Sequence, residues 1–374
     1  MNATLPRILS RMFLAGLLLG AAVFASTAMA DEQHLLYVTV PDGAGGSKGH
    51  GIYIFDIEND HKFVRAIDIP DMGGTRGVCA SPVTDKLYYA HGNTKLACID
   101  LRTEKKLWEN VYPKDEGGCD RIQITPDGKK LYVPSGWWSS DAYNKVVDAA
   151  TGELITKINL ADAGGCHNTV MSLDGTRAYC ASTKYSFLTV VDTRTDEIVR
   201  RVGPYMAMIW PHTINGRQTL SFANVDHIVG FEVADLVTGE KLHTVLVPGL
   251  EDQRRRCHGI GLTPDETEVW VVDQDKMQLH VFDATVMPPV FKQHIDTSAK
   301  THGWITFSMD GRFAYPDTGD VIDPKTKKII GTLTDARGER VISSKFIEIH
   351  LRDGDPIRVG QQMGLGRVTS VLGK

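Results

Sequence analysis

The chain has 374 residues, of which 42% are hydrophobic and 23% charged, and its formal net charge is −5. This balance is typical of a packed globular protein and gives no reason to expect a nucleic-acid partner, because nucleic-acid-binding domains are usually basic. After residue 30, no apolar stretch approaches the roughly 20 residues that a transmembrane helix needs, so we expect no membrane span in the mature chain.

Residues 1–30 have the parts of a secretory signal peptide. Arg7 and Arg11 supply the positive charge, a short apolar run follows, and the small residues up to Ala30 form a cleavage site. We therefore predict a mature chain that is exported to the periplasm or the extracellular space. It is expected to be a monomer and to form a single domain over residues 31–374.

The mature chain opens with a unit of three strand-like segments, residues 35–69. Six later units carry four segments each and begin near residues 78, 122, 169, 208, 259 and 304. Each of these begins with a short apolar segment, a polar turn and a second strand. The clearest copy runs from Ile260 to Val272, with Thr263-Pro-Asp265 as its turn, because proline presets the backbone and aspartate bonds locally.

The turn Ser or Thr stands at positions 81, 125, 172, 213, 263 and 308, a spacing of 41 to 50 residues. A period of this length with several short strands per unit is typical of a β-propeller. Near the C-terminus, residues 345–354 again have the pattern of a first strand and its turn, which the opening unit lacks. Completing that unit would close the ring and remove exposed sheet edges. We predict an all-β, seven-bladed propeller of four-stranded blades, with one blade shared by the two termini.

Three segments carry a family resemblance: Thr125-Pro-Asp-Gly-Lys-Lys-Leu-Tyr-Val133, Ser172-Leu-Asp-Gly-Thr-Arg-Ala-Tyr-Cys180 and Val191-Asp-Thr-Arg-Thr195. Through them the chain resembles the YVTN-type β-propeller repeat family of exported bacterial and archaeal proteins, over nearly its whole mature length. The resemblance implies the fold but no single activity, because that family includes binding proteins, surface proteins and members without an assigned activity. The unit from 208 to 247 departs from the pattern, with Thr213-Ile-Asn-Gly216 in place of the usual turn.

Six cysteines in an exported protein raise the question of disulfides. Cys119 and Cys166 occupy the same position in successive repeats, which makes them the pair to consider. A bond requires their Cα atoms to lie within about 7 Å of each other. We expect most of the cysteines to be small buried apolar side chains.

In a propeller, the loops that lead into the innermost strands and the loops that join second to third strands lie on one face. We call this the upper face, and propeller binding sites usually lie there. Arg76, Asp120, His167 and His258 each stand five residues before the turn Ser or Thr, and His302 stands six before. The upper face is also predicted to carry Arg121, Trp137, Trp138, His212 and His227.

One interpretation of this face is a metal-dependent enzyme, an oxidoreductase or a lyase. Imidazole is a good ligand for copper, zinc and iron, and the candidate ligands are His167, His212, His258 and His302. A different role for these histidines is hydrogen bonding to backbone carbonyls and aspartates, since imidazole both donates and accepts.

The other interpretation is a binding propeller, which we take as the main prediction. Arg76 and Arg121 can clamp a carboxylate or sulfate, while Trp137 and Trp138 can stack on a sugar or an aromatic ligand. If this pocket is lyase-like, Asp120 or Asp226 can tune a histidine that acts as a general base. The predicted ligand-binding residues are Arg76, Asp120, Arg121, Trp137, Trp138 and His227. The occupant is either a small molecule or a protein or cell-envelope partner that docks on the upper face.

Overall fold

Twenty-nine β-strands in seven sheets make up the described part of the chain. This computed structural model describes Met1 and residues 31–44, 46–112, 117–161 and 164–370, so the rest of the predicted signal peptide lies outside the described residues. Within those ranges there is no helix, and hence none long and apolar enough to cross a membrane. Residues Asp31–Lys374 form one unit.

The strands are β1 (Glu32–Val40), β2 (Gly51–Asp56), β3 (Lys62–Asp68), β4 (Thr75–Ser81), β5 (Lys86–His91), β6 (Lys95–Asp100), β7 (Lys106–Val111), β8 (Gln123–Ile124), β9 (Lys130–Pro134), β10 (Ala142–Asp148), β11 (Leu154–Ala161), β12 (Cys166–Met171), β13 (Arg177–Ser182), β14 (Leu188–Asp192), β15 (Glu197–Val202), β16 (Ile209–Ile214), β17 (Leu220–Val225), β18 (Gly230–Asp235), β19 (Lys241–Leu246), β20 (Gly259–Leu262), β21 (Glu268–Asp273), β22 (Gln278–Asp283), β23 (Val290–Asp296), β24 (Ile305–Phe307), β25 (Ala314–Pro316), β26 (Asp320–Asp323), β27 (Lys328–Thr332), β28 (Phe346–Arg352) and β29 (Asp355–Val359).

Six blades are four-stranded antiparallel sheets whose strands follow one another in the chain, from β4–β7 to β24–β27. Each begins with its innermost strand. The remaining sheet, which we count as the first blade in chain order, has the strand order β29-β28-β1-β2-β3, so the C-terminal β28 pairs with the N-terminal β1. Leu35 faces Ile349 and Tyr37 faces Ile347 in this pair. The seven-bladed propeller and its closure by both termini are therefore confirmed. The added strand β29 makes this one blade five-stranded, which the sequence did not predict.

The repeated turns form as the sequence predicts, by local side-chain hydrogen bonds. In the fourth blade, the Ser172 hydroxyl donates to Asp174 at 2.7 Å, and the Ser172 amide donates to the carbonyl of Arg177 at 2.9 Å. The same hydroxyl-to-carboxylate bond joins Thr125 to Asp127, Thr263 to Asp265 and Ser308 to Asp310. Each turn ties the innermost strand of its blade to the second.

The fifth blade corrects one sequence prediction. Its turn begins at Asn215 and not at Thr213, because the Asn215 amide donates to the Leu220 carbonyl, at 3.1 Å, as Ser172 does to Arg177. The Asn215 side-chain oxygen also accepts from the amides of Thr219 and Leu220. One asparagine thus replaces the Ser/Thr-and-Asp pair of the other turns, and the repeat frame of this blade moves by two residues.

The chain after β29 runs into the centre of the ring. We call residues 360–368 the channel segment. It hydrogen-bonds at or beside the innermost strands of all six other blades. The contacts are Val78 and Ile122 to Gln362, Met171 to Gln361, Ile214 to Gly366, Leu262 to Gly364, and Trp304 to Gln362. Met363 and Leu365 are buried among apolar residues of the fourth and fifth blades.

Apolar clusters between neighbouring blades form the core. One cluster joins the blade shared by the termini to the blade β4–β7, and the next joins β4–β7 to β8–β11. All six cysteines lie in the described part of the chain and are buried and free. Cys119 and Cys166 are therefore not joined, and the cysteines act as small apolar side chains, as we expected.

Candidate functional site

A cavity of about 300 Å³ lies on the upper face, where the chain leads into the innermost strands. All seven blades contribute to it, because each supplies a residue at or just before its innermost strand. Its lining consists of Gly43, Ala44, Arg76, Asp120, Arg121, Trp137, His167, Trp210, Arg256, His258, Gln274, His302 and Lys345. Four of these side chains are cationic and one is a carboxylate, so the cavity favours an anion.

Arg121 lies at the bottom of the cavity and is 2% exposed. Its guanidinium carbon stacks 3.6 Å from the ring centroid of Trp304. The Trp304 indole donates to the main-chain carbonyl of Gln362 at 2.9 Å, so the channel segment supports this floor from the far side. Nε and Nη1 of Arg121 are buried and have no acceptor among the residues that the structure describes. A buried cation with unused donors is costly unless an anion pairs with it.

His167 and Asp120 form a buried pair beside Arg121. Nδ1 of His167 lies 2.7 Å from Oδ2 of Asp120. Burial raises the pKa of Asp120, but His167 and the nearby arginines outweigh burial and keep that pKa below its ordinary value. Burial lowers the pKa of His167 more than Asp120 raises it. The carboxylate is therefore ionised and the imidazole neutral at pH 7, with its proton on Nδ1.

The second ring nitrogen of His167 is free to accept a hydrogen bond. Nε2 of His167 is buried without a hydrogen-bond partner among the described residues. The ring lies 5.6 Å from the rings of both Trp210 and His258, measured between centroids. A neutral imidazole with Nδ1–H donated to a carboxylate presents a lone pair at Nε2. The site therefore contains an oriented base whose Nε2 accepts no hydrogen bond from the described residues.

His258 is a second neutral imidazole in the cavity. Its Nδ1 donates to the Gly303 carbonyl at 2.7 Å, since a carbonyl can only accept. Burial, with His302 and His167 nearby, lowers the pKa of His258 well below its ordinary value. The His302 ring lies 4.6 Å from that of His258, between centroids, at an angle of 54°, and His302 is exposed. Three of the four candidate metal ligands thus form a row of rings along one wall.

Lys345 supplies another buried charge to the same cavity as Arg121. Its ammonium group donates to Asp42 at 3.0 Å. Burial and the charge of Arg121 lower the pKa of Lys345 to about 8. Burial raises the pKa of Asp42, but Lys345 and Ser344 outweigh it and hold that pKa well below its usual range. The pair is ionised at pH 7, so Lys345 adds positive potential to the cavity.

Aromatic rings flank the mouth of the cavity. The Trp210 indole donates to Asp226 at 2.8 Å, and the Arg256 guanidinium carbon lies 3.8 Å above the Trp210 ring. Trp137 is 47% exposed and packs edge-on against Trp138. An apolar or aromatic group of a ligand can therefore contact Trp137 and Trp210 while its anionic end reaches the arginines.

Seven residues singled out from the sequence line this one cavity: Arg76, Asp120, Arg121, Trp137, His167, His258 and His302. Trp138 lies behind the lining, where it packs under Arg76 at 4.8 Å. His227 is exposed in a neighbouring pocket with Asp226 and Arg256, outside the main cavity. His212 lies within β16, is 1% exposed, and is not a lining residue. Among the described residues, no group of three or more His, Cys, Asp or Glu is arranged to hold a metal ion. The four-histidine metal centre stays a prediction that this arrangement does not favour.

Sequence reasoning missed Trp210, Arg256, Gln274 and Lys345 as lining residues. Trp210 stands five residues before Asn215, so the corrected turn of the fifth blade would have identified it. Arg256 precedes His258 by two residues and ends the run Arg254-Arg-Arg256, which does not belong to the repeated pattern. Lys345 directly precedes β28 of the shared blade, and its partner Asp42 is 303 residues away in the chain, so no local pattern connects them.

No family model and no curated protein matches the sequence. Among solved structures, the chain is similar to the periplasmic gluconolactonase PpgL of Pseudomonas aeruginosa, with 14% identity and a TM-score of 0.63, over 88% of this chain and 99% of that one. It is also similar to the hydrazine synthase of Kuenenia stuttgartiensis, with 14% identity and a TM-score of 0.59, over 78% of this chain and 93% of that one. At this identity the likeness shows the propeller fold alone.

Proposed function

We propose that this protein is an exported binding propeller that holds a small organic anion in the upper-face cavity. The observation that carries the proposal is Arg121, a buried guanidinium with donors that no described residue accepts. A carboxylate or sulfate group is the natural partner, because it accepts two parallel N–H bonds from arginine. Arg76, Arg256 and Lys345 add charge around the same point.

The remaining features support an anion that also carries an apolar or aromatic part. Trp137 and Trp210 offer ring faces at the mouth, while the floor beneath Arg121 is closed by Trp304 and the channel segment. A cavity of about 300 Å³ suits a small molecule better than a protein segment. Docking of a cell-envelope partner therefore becomes the second interpretation, and the metal-dependent enzyme the third.

Export, the monomeric state and membership of the YVTN-type repeat family belong to the same proposal. The signal-like residues 1–30 support export, and the three repeat segments support the family membership. The fold likeness to a periplasmic gluconolactonase agrees with a periplasmic location. Cell fractionation with N-terminal sequencing of the purified protein tests export, and a mature N-terminus at Asp31 is the expected result.

Calorimetric titration with benzoate, phenylacetate, citrate and sulfate tests the binding proposal. We expect at least one carboxylate to bind with one-to-one stoichiometry. Arg121→Gln should weaken that binding by about 10- to 100-fold, because a charge-assisted hydrogen bond contributes about 1.5–3 kcal/mol. Arg217→Gln is the matched control, because Arg217 is exposed in the turn region between β16 and β17.

Two results would contradict the proposal. One is that none of the four anions binds to the folded protein. The other is that Arg121→Gln binds the anion as tightly as the parent protein does, which would place the ligand elsewhere. Equal weakening by Arg217→Gln would show that only net charge matters.

A further inference from the structure

We infer that the upper-face cavity is catalytic, and that His167 removes a proton from a carbon next to the carbonyl group of a bound 2-oxo acid. This inference rests on the proposed anion site and adds a reaction to it. Its basis is that Nε2 of His167 and two guanidinium nitrogens of Arg121, Nε and Nη1, lie close together and have no hydrogen-bond partner among the described residues. Both residues lie in one cavity and both are at least nine-tenths buried.

The His167–Asp120 pair is built as a base and not as a binding contact. Asp120 accepts the Nδ1 proton at 2.7 Å, which fixes the ring and its tautomer and stabilises the imidazolium that forms when Nε2 takes a proton. Nε2 has no partner in the described chain. Asp120 is a positioning residue, since it acts through His167.

Arg121 supplies the complementary group. When a C–H bond breaks, its electron pair moves into the neighbouring carbonyl, and negative charge develops on that oxygen. A preoriented guanidinium in a cavity shielded from water stabilises such an oxyanion strongly. Arg121 is fixed by stacking 3.6 Å above Trp304, so it need not reorganise as the charge develops. Arg76, on the neighbouring blade, is free to hold the carboxylate of the same molecule through its remaining guanidinium nitrogens.

The surroundings of Nε2 favour removal of a proton from a carbon atom over activation of a water molecule. The His167 ring is flanked by Trp210 and His258, each 5.6 Å away between centroids, and 3% of the residue is exposed. A substrate with an aromatic group can stack on Trp210 or Trp137 and bring the carbon next to its carbonyl to His167. Phenylpyruvate has a carboxylate, a ketone, an acidic CH2 group and a ring, and is therefore the probe that matches all four features.

The step is balanced without any other reactant. The C3–H bond of phenylpyruvate breaks, the proton goes to Nε2 of His167, and the electron pair forms the enolate, whose oxygen Arg121 holds. The imidazolium exchanges its proton with solvent, and the reverse step returns a hydrogen to C3. In D2O that hydrogen is deuterium. No oxidant, reductant or metal takes part.

Proton NMR of deuterium incorporation at C3 of phenylpyruvate in D2O tests the inference, with binding of phenylpyruvate measured in parallel by calorimetry. The parent protein should bind the probe and accelerate exchange above the buffer rate. His167→Gln should lower the exchange rate by about 100-fold or more while binding persists. Asp120→Asn should lower the rate at saturation by about tenfold or more with an unchanged half-saturating concentration, because the ring loses its orientation but the arginines remain. Arg217→Gln should match the parent protein in both measurements.

The outcomes separate the two proposals. If phenylpyruvate binds and exchange stays at the buffer rate, the catalytic inference is wrong and anion binding stands. If benzoate or phenylacetate binds but phenylpyruvate does not, the substrate class is wrong and the inference falls. If no anion binds, both proposals fall. Exchange that persists in a folded His167→Gln variant would assign the base to another residue and overturn the inference.

Discussion

Burial keeps His212 and His61 neutral, and this makes the stability of the protein depend on pH. Burial lowers the pKa of His212 to about 3 and that of His61 to about 4. Both values lie below the ordinary histidine pKa of about 6.5. Between its folded-state pKa and about pH 6.5, each of these histidines binds a proton in the unfolded chain but not in the folded protein. The free energy of unfolding therefore falls as the pH falls below about 6.5.

We predict that the free energy of unfolding falls between pH 7 and pH 5, and that His212 contributes roughly 2 kcal/mol of the loss. Urea denaturation of the parent protein and of His212→Leu at both pH values measures this contribution. The variant should lose correspondingly less stability on acidification. His294→Gln, at an exposed position, is the control. Equal acid sensitivity of parent and His212→Leu would show that His212 is protonated in the folded state or that its site opens before global unfolding.

At the scale of the element, the repeated turn both defines each blade and joins it to the next. Asp174 accepts from Ser172 and Thr176 within its own turn, and its second oxygen accepts from Gln218 of the fifth blade at 2.9 Å. Asp265 makes the corresponding bonds to Thr263 and Thr267 within its turn. The two aspartates therefore share the local bonds and differ in the bond between blades.

We predict that Asp174→Ala lowers the free energy of unfolding by about 2–3 kcal/mol and Asp265→Ala by about 1 kcal/mol less. Urea denaturation of the two variants, with Gln218→Ala as the third member of the comparison, measures the difference. Anion binding should be unchanged, because these turns lie at the far ends of the innermost strands from the cavity. Equal destabilisation by both aspartate substitutions would mean that the bond to Gln218 contributes nothing.

The same turns explain how much of the site could be predicted from the sequence. Counting back five residues from the turn identified Arg76, Asp120, His167 and His258, all of which line the cavity. In the fifth blade Asn215 alone replaces the usual pair of turn residues, so counting back five residues from Thr213 reaches Met208 and not Trp210. An asparagine can close the turn through its side-chain oxygen, and a pattern that requires Ser or Thr cannot recognise it.

At the scale of the whole molecule, the ring closure was predictable and the filling of the ring was not. The opening unit lacks its first strand, and one strand near the C-terminus belongs to no complete unit. We expect these two parts to pair, because an unpaired sheet edge is unfavourable. The channel segment has no such pattern. It bonds largely through main-chain groups, and Gly364 approaches Gly261 so closely that a Cβ atom on it would meet the Gly261 Cα at 3.0 Å. Such contacts depend on backbone shape and leave no periodic signal in the sequence.

The channel segment also connects global structure to the cavity, since it supports Trp304, and Trp304 supports Arg121. We predict that a chain ending at Gly360 keeps its closed ring but loses roughly 3 kcal/mol of stability, because Met363 and Leu365 no longer fill the centre. It should also bind the carboxylate identified by calorimetry at least about tenfold more weakly, since Trp304 loses its acceptor and the floor loosens.

The substitution Gln362→Ala separates the loss of stability from the loss of anion affinity. The substitution removes the side-chain bonds from Gln362 to Val78 and Ile122 but keeps the main-chain carbonyl that accepts from Trp304. It should therefore lower the melting temperature and leave anion affinity unchanged. Thermal melts and calorimetry on the parent protein, the truncated chain and Gln362→Ala give the comparison. If the truncated chain binds the anion as tightly as the parent protein, the floor of the cavity does not depend on the channel segment, and the propeller ring alone positions Arg121.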